Sequence, residues 1–236
     1  MLILLMAIAF KFYTSDYYKT DEAVAYELQE ATDVFESSYK DGIVFLPKDL
    51  WPKAVIVFYP GGKVEHKAYS GLMEVLAEKG YLCILPRMPE NLAFLRMDAI
   101  DKILEKYPKR AALVENLDWY MAGHSLGGVA ASKYLLENPD GYKGLILCAS
   151  YTTSDFSDSD IRLLSIYGSE DKVLNMESYS ENKANWPDNS TEFVIEGGIH
   201  SYFGNYGIQK GDGEPAITNI EQINITANII ADWIKK

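Results

Sequence analysis

One five-residue pattern has the residue types and spacing needed for nucleophilic catalysis. Gly123, Ser125 and Gly127 form a G-x-S-x-G motif between an apolar run typical of a strand and a run typical of a helix. A serine on such a sharp turn is exposed, and the crowded backbone leaves no room for a Cβ atom two residues to either side. A glycine-rich turn that happens to contain serine is the alternative, but the strand-turn-helix context favours Ser125 as a catalytic nucleophile.

The sequence contains only three histidines, which limits the choice of a general base. His124 is the neighbour of Ser125, and its side chain should point away from the hydroxyl. His66 follows an earlier predicted strand, in a segment where we expect a substrate-binding loop. His200 follows the last predicted strand in a glycine-rich turn that can bring its imidazole over the sheet. We therefore predict His200 as the base.

Two neighbouring carboxylates, Glu170 and Asp171, follow the strand predicted for residues 163–167. One of them should accept a hydrogen bond from His200 and hold its tautomer. The G-x-x-D spacing from Gly168 favours Asp171, and Glu170 is the alternative.

Two backbone N–H groups are candidates for stabilising an oxyanion. Leu126 begins the helix after the nucleophile, where unpaired N–H groups and the positive end of the helix dipole face the reacting carbonyl. The second donor should follow the strand predicted for residues 54–59, where Pro60 precedes two glycines. Gly62 is our first choice and Gly61 the second, while an ordinary β-turn is the non-functional interpretation.

The elements that must position these residues alternate between short apolar runs and helix-like runs from residue 51 onward, which is typical of βαβ units. An Asp-Gly pair at 41–42 predicts a hairpin between strands at 34–39 and 43–46. The other predicted strands cover residues 54–59, 82–85, 119–122, 144–149, 163–167 and 192–195. The predicted helices cover residues 21–29, 68–79, 92–106, 126–137, 175–183 and 220–234. The fold class is therefore α/β, with a mostly parallel eight-stranded sheet and helices on both faces.

Composition indicates one folded domain, which we place at residues 20–236 after an apolar segment at residues 1–19. The chain has 236 residues, 48% of them apolar, and the connection at 150–160 is too short for a large cap. Its net charge of -12 repels phosphate backbones, so we expect no nucleic acid partner. Cys83 and Cys148 lie in apolar strand-like runs and are expected to be buried free thiols.

The N-terminal residues Met1 to Phe10 are all apolar, but a bilayer span needs about 20 residues. A secretory signal would require a basic residue before its apolar run, and none precedes Leu2. Three interpretations fit: the end of an anchor helix whose beginning is missing, an apolar segment docked on the domain, or a buried first strand. The first places the protein at a membrane or outside the cytoplasm; the alternative is a cytoplasmic protein.

Three longer stretches, at residues 58–65, 166–171 and 197–207, together with the serine motif, resemble the α/β-hydrolase superfamily over residues 32–236. They are similar to small, capless bacterial hydrolases related to the dienelactone hydrolases, many of which have a membrane-anchoring N-terminal segment. The resemblance implies the α/β-hydrolase fold and the order Ser125, Asp171, His200 for the catalytic residues. Dienelactone hydrolases use cysteine where this chain has Ser125, so we do not expect dienelactone chemistry.

The expected activity is that of a carboxylesterase-like serine hydrolase, which cleaves a small-molecule ester through an acyl-enzyme on Ser125. Amide or thioester hydrolysis or acyl transfer by the same residues is the alternative within enzymes. A non-catalytic binding protein of the same fold is the alternative outside them. We expect no cofactor, because neither a histidine-rich cluster nor a G-x-G-x-x-G motif after a strand is present. The sequence carries no signal for an oligomeric state.

Overall fold

An eight-stranded sheet forms the centre of the protein in the computed structural model, which describes residues 2–23, 34–47, 51–107 and 114–236. The strand order is β1-β2-β4-β3-β5-β6-β7-β8. The pairs β1–β2 and β2–β4 are antiparallel, and all other neighbours are parallel. The strands are β1 Val34–Tyr39, β2 Gly42–Pro47, β3 Val55–Tyr59, β4 Leu82–Pro86, β5 Trp119–His124, β6 Tyr142–Cys148, β7 Arg162–Gly168 and β8 Ser190–Ile195.

Helices cover both faces of this sheet. Six α-helices have their bounds within the described residues: α1 Leu2–Ser15, α2 Ser70–Glu78, α3 Ala99–Lys106, α4 Leu126–Glu137, α5 Met176–Glu181 and α6 Asn219–Ile234. Apolar residues of α2 and α6 form one core with one face of the sheet, and those of α3 and α4 form a second core with the other face. Strand β3 is buried at every position because it is covered from both sides.

Local sequence explains where the site-bearing elements begin and end. At α6, Thr218 and Glu221 form a reciprocal capping box, in which each side chain accepts a hydrogen bond from the other's backbone N–H group. The connection between β6 and β7 contains only turns and irregular backbone, so the sheet carries no large cap there. Cys83 and Cys148 are buried and free, as the sequence indicated.

The predicted α/β fold is confirmed, and each predicted strand agrees with the structure to within two residues at either end. The helix predicted for residues 92–106 is wrong in its first half. Short 3₁₀ turns occupy Pro89–Asn91 and Ala93–Leu95, and α3 begins only at Ala99. Directly before this segment, the Asn91 carbonyl accepts a hydrogen bond from the Lys63 N–H group at 2.8 Å, which ties the chain there to the loop after β3.

Two other predicted helices differ in smaller ways, and a third is not tested. The helix predicted at 68–79 starts with a 3₁₀ turn at His66–Tyr69, and the one predicted at 175–183 ends as a 3₁₀ turn at Asn182–Asn185. The helix predicted at 21–29 falls largely on residues 24–33, which lie outside the described residues.

The N-terminal segment is the helix α1, so its interpretation as a buried first strand is wrong. Lys11 forms an ion pair with Glu90 at 2.7 Å, and the Thr14 hydroxyl donates to the same carboxylate at 2.8 Å. Several apolar side chains of the helix are exposed: Leu4, Leu5, Met6, Ile8, Phe10, Phe12 and Tyr13. Within the described ranges, no helix has both the length and the apolar character to cross a membrane. Membrane anchoring through this segment stays a prediction.

A carboxyl group is buried on α2, the helix that packs against the β1–β2 hairpin. Glu74 is 3% exposed, and its Oε2 atom has no hydrogen-bond partner among the described residues. Burial raises the pKa of Glu74 to about 7, and the charge of Glu36 adds to the effect. The folded protein therefore favours the protonated form of this side chain.

We predict that Glu74→Gln stabilises the protein at alkaline pH. Because the pKa of Glu74 is raised on folding, ionisation costs stability as pH rises from the unfolded value of 4.5 through about 7. The substitution should raise the free energy of unfolding by about 2 kcal/mol at pH 8.5, and by little at pH 4. Urea denaturation at both pH values measures this, with the exposed Glu78→Gln on the same helix as control. An equal effect at the two pH values would contradict it.

Candidate active site

The backbone at Ser125 has the sharp turn that the G-x-S-x-G motif predicted. Ser125 lies between the end of β5 and the start of α4, with φ 50° and ψ -126°. A Cβ atom built on Gly123 would come within 2.7 Å of the Gly127 backbone. One built on Gly127 would come within 2.2 Å of the Pro60 carbonyl oxygen. Both glycines are therefore required for this turn to close.

Hydrogen bonds from the neighbouring strand hold the turn in place. The Ser125 N–H group donates to the Cys148 carbonyl at 3.0 Å, at the end of β6. The hydroxyl of Ser150 donates to the Ser125 carbonyl at 2.7 Å. The strained residue is thus held from both its amide and its carbonyl group, as expected where a positive φ must be maintained in a non-glycine residue.

Ser125 and both predicted oxyanion donors line the same cavity, of about 300 Å³. Leu126 is the first residue of α4, so its N–H group has no acceptor within the helix. The Gly61 N–H group already donates to the Tyr69 hydroxyl at 3.0 Å. This contact favours Gly62 over Gly61 as the second donor. The other lining residues are Tyr13, Tyr18, Gly61, Lys63, Val64, Leu92, His124 and Gln209.

The predicted base and acid are in contact. His200 Nδ1 lies 2.9 Å from Asp171 Oδ2, and both side chains are almost fully buried. The other oxygen, Asp171 Oδ1, accepts the N–H groups of Val173 and Leu174 at 2.8 Å each. The Glu170 carboxylate instead accepts from the Ser169 hydroxyl at 3.3 Å, so the geometry favours Asp171 over Glu170.

His124 connects the turn at Ser125 (the nucleophile turn) with the loop after β8 that carries His200 (the base loop). Its Nε2 atom lies 3.0 Å from the His200 carbonyl oxygen, and the two imidazole centroids are 4.6 Å apart. His200 Nε2 is buried without a hydrogen-bond partner in the described part of the chain, so no bond to Ser125 Oγ is formed. Hydrogen bonds between a catalytic base and nucleophile are often long without substrate and tighten in the reacting complex.

Asp212 is a site residue that sequence reasoning missed. Its carboxylate accepts the N–H group of His200 at 3.2 Å, the N–H and hydroxyl groups of Ser201 at 2.8 and 2.5 Å, and the N–H group of Gly213 at 2.8 Å. It therefore anchors the backbone of the base loop. An aspartate between two glycines is typical of an exposed turn, so the sequence contained no signal for this role.

His66 does not line the cavity of Ser125. It borders a neighbouring cavity of about 520 Å³, together with Lys11, Arg87 and Glu90. Burial lowers the pKa of His66 to about 4, so its imidazole is neutral near pH 7. Within the parts of the chain that the structure describes, no group of three or more histidine, cysteine, aspartate or glutamate side chains is placed to hold a metal ion.

A parallel sheet flanked by helices, with a strained serine turn between its central strand and the following helix, defines the α/β-hydrolase class of fold. Residues 55–224 match the profile of the Alpha/beta hydrolase family. Because this match covers most of the 236 residues, the chain belongs to that family. No curated protein matches the chain significantly. Family membership supports a hydrolase.

We predict that Asp212→Ala destabilises the base loop. Loss of a charged acceptor that binds several donors should lower the free energy of unfolding by about 2 kcal/mol. It should also increase amide hydrogen exchange at His200 and Ser201. The control is Asp155→Ala, which removes an exposed aspartate that accepts both donors of Ser157. Unchanged exchange in the base loop of the Asp212 variant would show that this carboxylate is dispensable.

Proposed function

We propose that the protein is a serine hydrolase that cleaves carboxylic esters through an acyl-enzyme on Ser125. The observation that carries the proposal is a cavity lined by Ser125, Leu126 and Gly62, with the buried His200–Asp171 pair packed beside the serine turn. Ser125 and the N–H groups of Leu126 and Gly62 border the space, and the His200–Asp171 pair packs against the same turn through His124. These are the parts that acyl transfer needs: a nucleophile, oxyanion donors and an oriented base.

In the proposed mechanism, Ser125 Oγ attacks the ester carbonyl carbon while His200 Nε2 takes the hydroxyl proton. The carbonyl oxygen becomes an oxyanion, which accepts hydrogen bonds from the N–H groups of Leu126 and Gly62. Collapse of this intermediate breaks the C–O bond, and His200 protonates the leaving alcohol. Water then attacks the acyl-enzyme, gives its proton to His200, and releases the acid as the proton returns to Ser125. Asp171 accepts from His200 Nδ1 throughout and stabilises the imidazolium.

The cavity favours small substrates. Its volume of about 300 Å³ lies at the lower end of the range for small-molecule sites. Polar groups, among them those of Lys63 and Gln209, make up the larger part of its accessible lining, and Tyr13, Leu92 and Leu126 contribute to the apolar part. We therefore propose esters with short acyl chains as the substrate class.

A fluorophosphonate probe and a series of p-nitrophenyl esters test the proposal. The parent protein should be labelled at Ser125 and should hydrolyse the acetate and butyrate esters faster than the palmitate ester. Ser125→Ala should lose labelling and at least about 10³-fold in kcat. Absence of labelling in the folded parent protein would refute a serine hydrolase. Labelling with turnover only of amide or thioester substrates would replace the ester assignment.

His200 and His66 should differ in their effect on the kinetics. His200→Ala should lower kcat by at least about 10³-fold because the proton of Ser125 loses its acceptor. His66→Gln should change kcat by less than about threefold, because His66 borders a different cavity. Steady-state kinetics with the best ester measures both, and thermal unfolding checks that both variants are folded. Equal loss in the two variants would mean that the base has been misassigned.

A further inference from the structure

A chain of hydrogen bonds behind the nucleophile joins the two loops on which the proposed reaction depends. The Gly61 N–H group contacts the Tyr69 hydroxyl at 3.0 Å, and that hydroxyl lies 2.8 Å from His124 Nδ1. On its other side, His124 Nε2 lies 3.0 Å from the carbonyl oxygen of His200. Tyr69 and His124 are both fully buried.

The partners determine where each proton lies. The His200 carbonyl can only accept, so His124 Nε2 carries a hydrogen and donates it. The neutral ring then has a bare Nδ1, which accepts the hydroxyl hydrogen of Tyr69. A lone pair of the same hydroxyl oxygen accepts from Gly61 N–H. All three bonds are satisfied by one tautomer of a neutral imidazole.

The surroundings of His124 keep it in that neutral form. Its ring packs against those of Tyr69, Phe203 and His200, with centroids 5.6, 5.6 and 4.6 Å away. Burial, reinforced by the proximity of His200, holds the pKa of His124 well below its usual range. Burial likewise raises the pKa of the Tyr69 hydroxyl, which therefore keeps its hydrogen.

We propose that His124 is a positioning residue that couples the loop of the base, His200, to the oxyanion loop at Gly61 and Gly62. The proposal rests on the function proposed above. His124 Nε2 holds the His200 carbonyl, while Asp212 holds the His200 N–H group from the other side. Through Tyr69, the same ring holds Gly61, next to Gly62, which lines the cavity of Ser125. His124 thus acts on the reaction through its neighbours.

This assignment differs from a filling role in the core. An apolar ring of similar size would fill the same space but could neither donate to His200 nor accept from Tyr69. The two links also depend on different atoms of the imidazole. Removing the hydroxyl of Tyr69 breaks the link to Gly61 and leaves the link to His200 intact.

Three variants separate these contributions: His124→Phe removes both links, His124→Gln keeps a donor for the His200 carbonyl, and Tyr69→Phe removes only the oxyanion-loop link. Tyr81→Phe is the matched control, because Tyr81 is equally buried and its hydroxyl donates to the Ala231 carbonyl at 3.1 Å, away from the site.

Kinetics with the best p-nitrophenyl ester should show a fall in kcat of about 30- to 100-fold for His124→Phe, with KM changed less than about threefold. His124→Gln should restore most of that loss, Tyr69→Phe should lose about tenfold, and Tyr81→Phe should retain parent kcat.

A second readout does not require turnover. Proton NMR should show a downfield resonance of the His200 Nδ1 hydrogen, assigned by its disappearance in Asp171→Ala. The resonance should persist in His124→Gln and be shifted or broadened in His124→Phe.

A His124→Phe protein with parent kcat and an unchanged resonance would overturn the positioning role. So would an equal kcat loss in Tyr69→Phe and Tyr81→Phe, since that indicates general loosening of the core. If the parent protein hydrolyses no ester, the proposed function fails, and the resonance alone decides the role of His124.

Discussion

The close approach of Gly127 to the end of β3 is the constraint on which the site depends. A Cβ atom at Gly127 would lie 2.2 Å from the Pro60 carbonyl oxygen and 2.4 Å from that of Tyr59. Only glycine allows the first turn of α4 to approach the loop after β3 so closely. Since β3 and β5 are adjacent parallel strands, this contact brings Ser125 and Gly62 to one cavity at their carboxyl ends.

A second close contact at a glycine brings the acid, Asp171, and the base, His200, together. A Cβ atom at Gly168, at the end of β7, would lie 2.2 Å from the Gly198 backbone. This brings the turn of Asp171 against the loop of His200, and two backbone bonds support the contact. The Ser169 N–H group donates to the Ile195 carbonyl at 2.9 Å, and the Glu170 N–H group donates to the Gly198 carbonyl at 2.9 Å. The geometry of the Asp171–His200 pair thus follows from close backbone packing. His124 connects the loop of His200 to the turn at Ser125.

Strands and glycine turns were predictable because their signals are local. A run such as β3 is apolar at every position, which indicates a strand buried on both faces. The helix predicted at 92–106 failed in its first half for the opposite reason. Helical spacing is present there, but Leu92 and Arg96 have non-helical backbone and a 3₁₀ turn lies between them. Just before them, Asn91 has a positive φ and its carbonyl accepts from the Lys63 N–H group. A contact between residues so far apart in the chain leaves no local signal in the sequence.

The amino-acid sequence by itself determined the α/β pattern, the serine turn and the choice of Ser125, Asp171 and His200 as candidates. The pattern, the turn and the Asp171 choice, with Glu170 as the alternative, depend on residue types a few positions apart; His200 followed from the small number of histidines and its place after the last predicted strand. Only the tertiary structure favoured Gly62 over Gly61, placed His66 at a different cavity, and showed which groups Asp212 and His124 contact. These depend on which carbonyl or N–H group a side chain meets, and therefore on strand order, which brings segments more than 50 residues apart into hydrogen-bond distance.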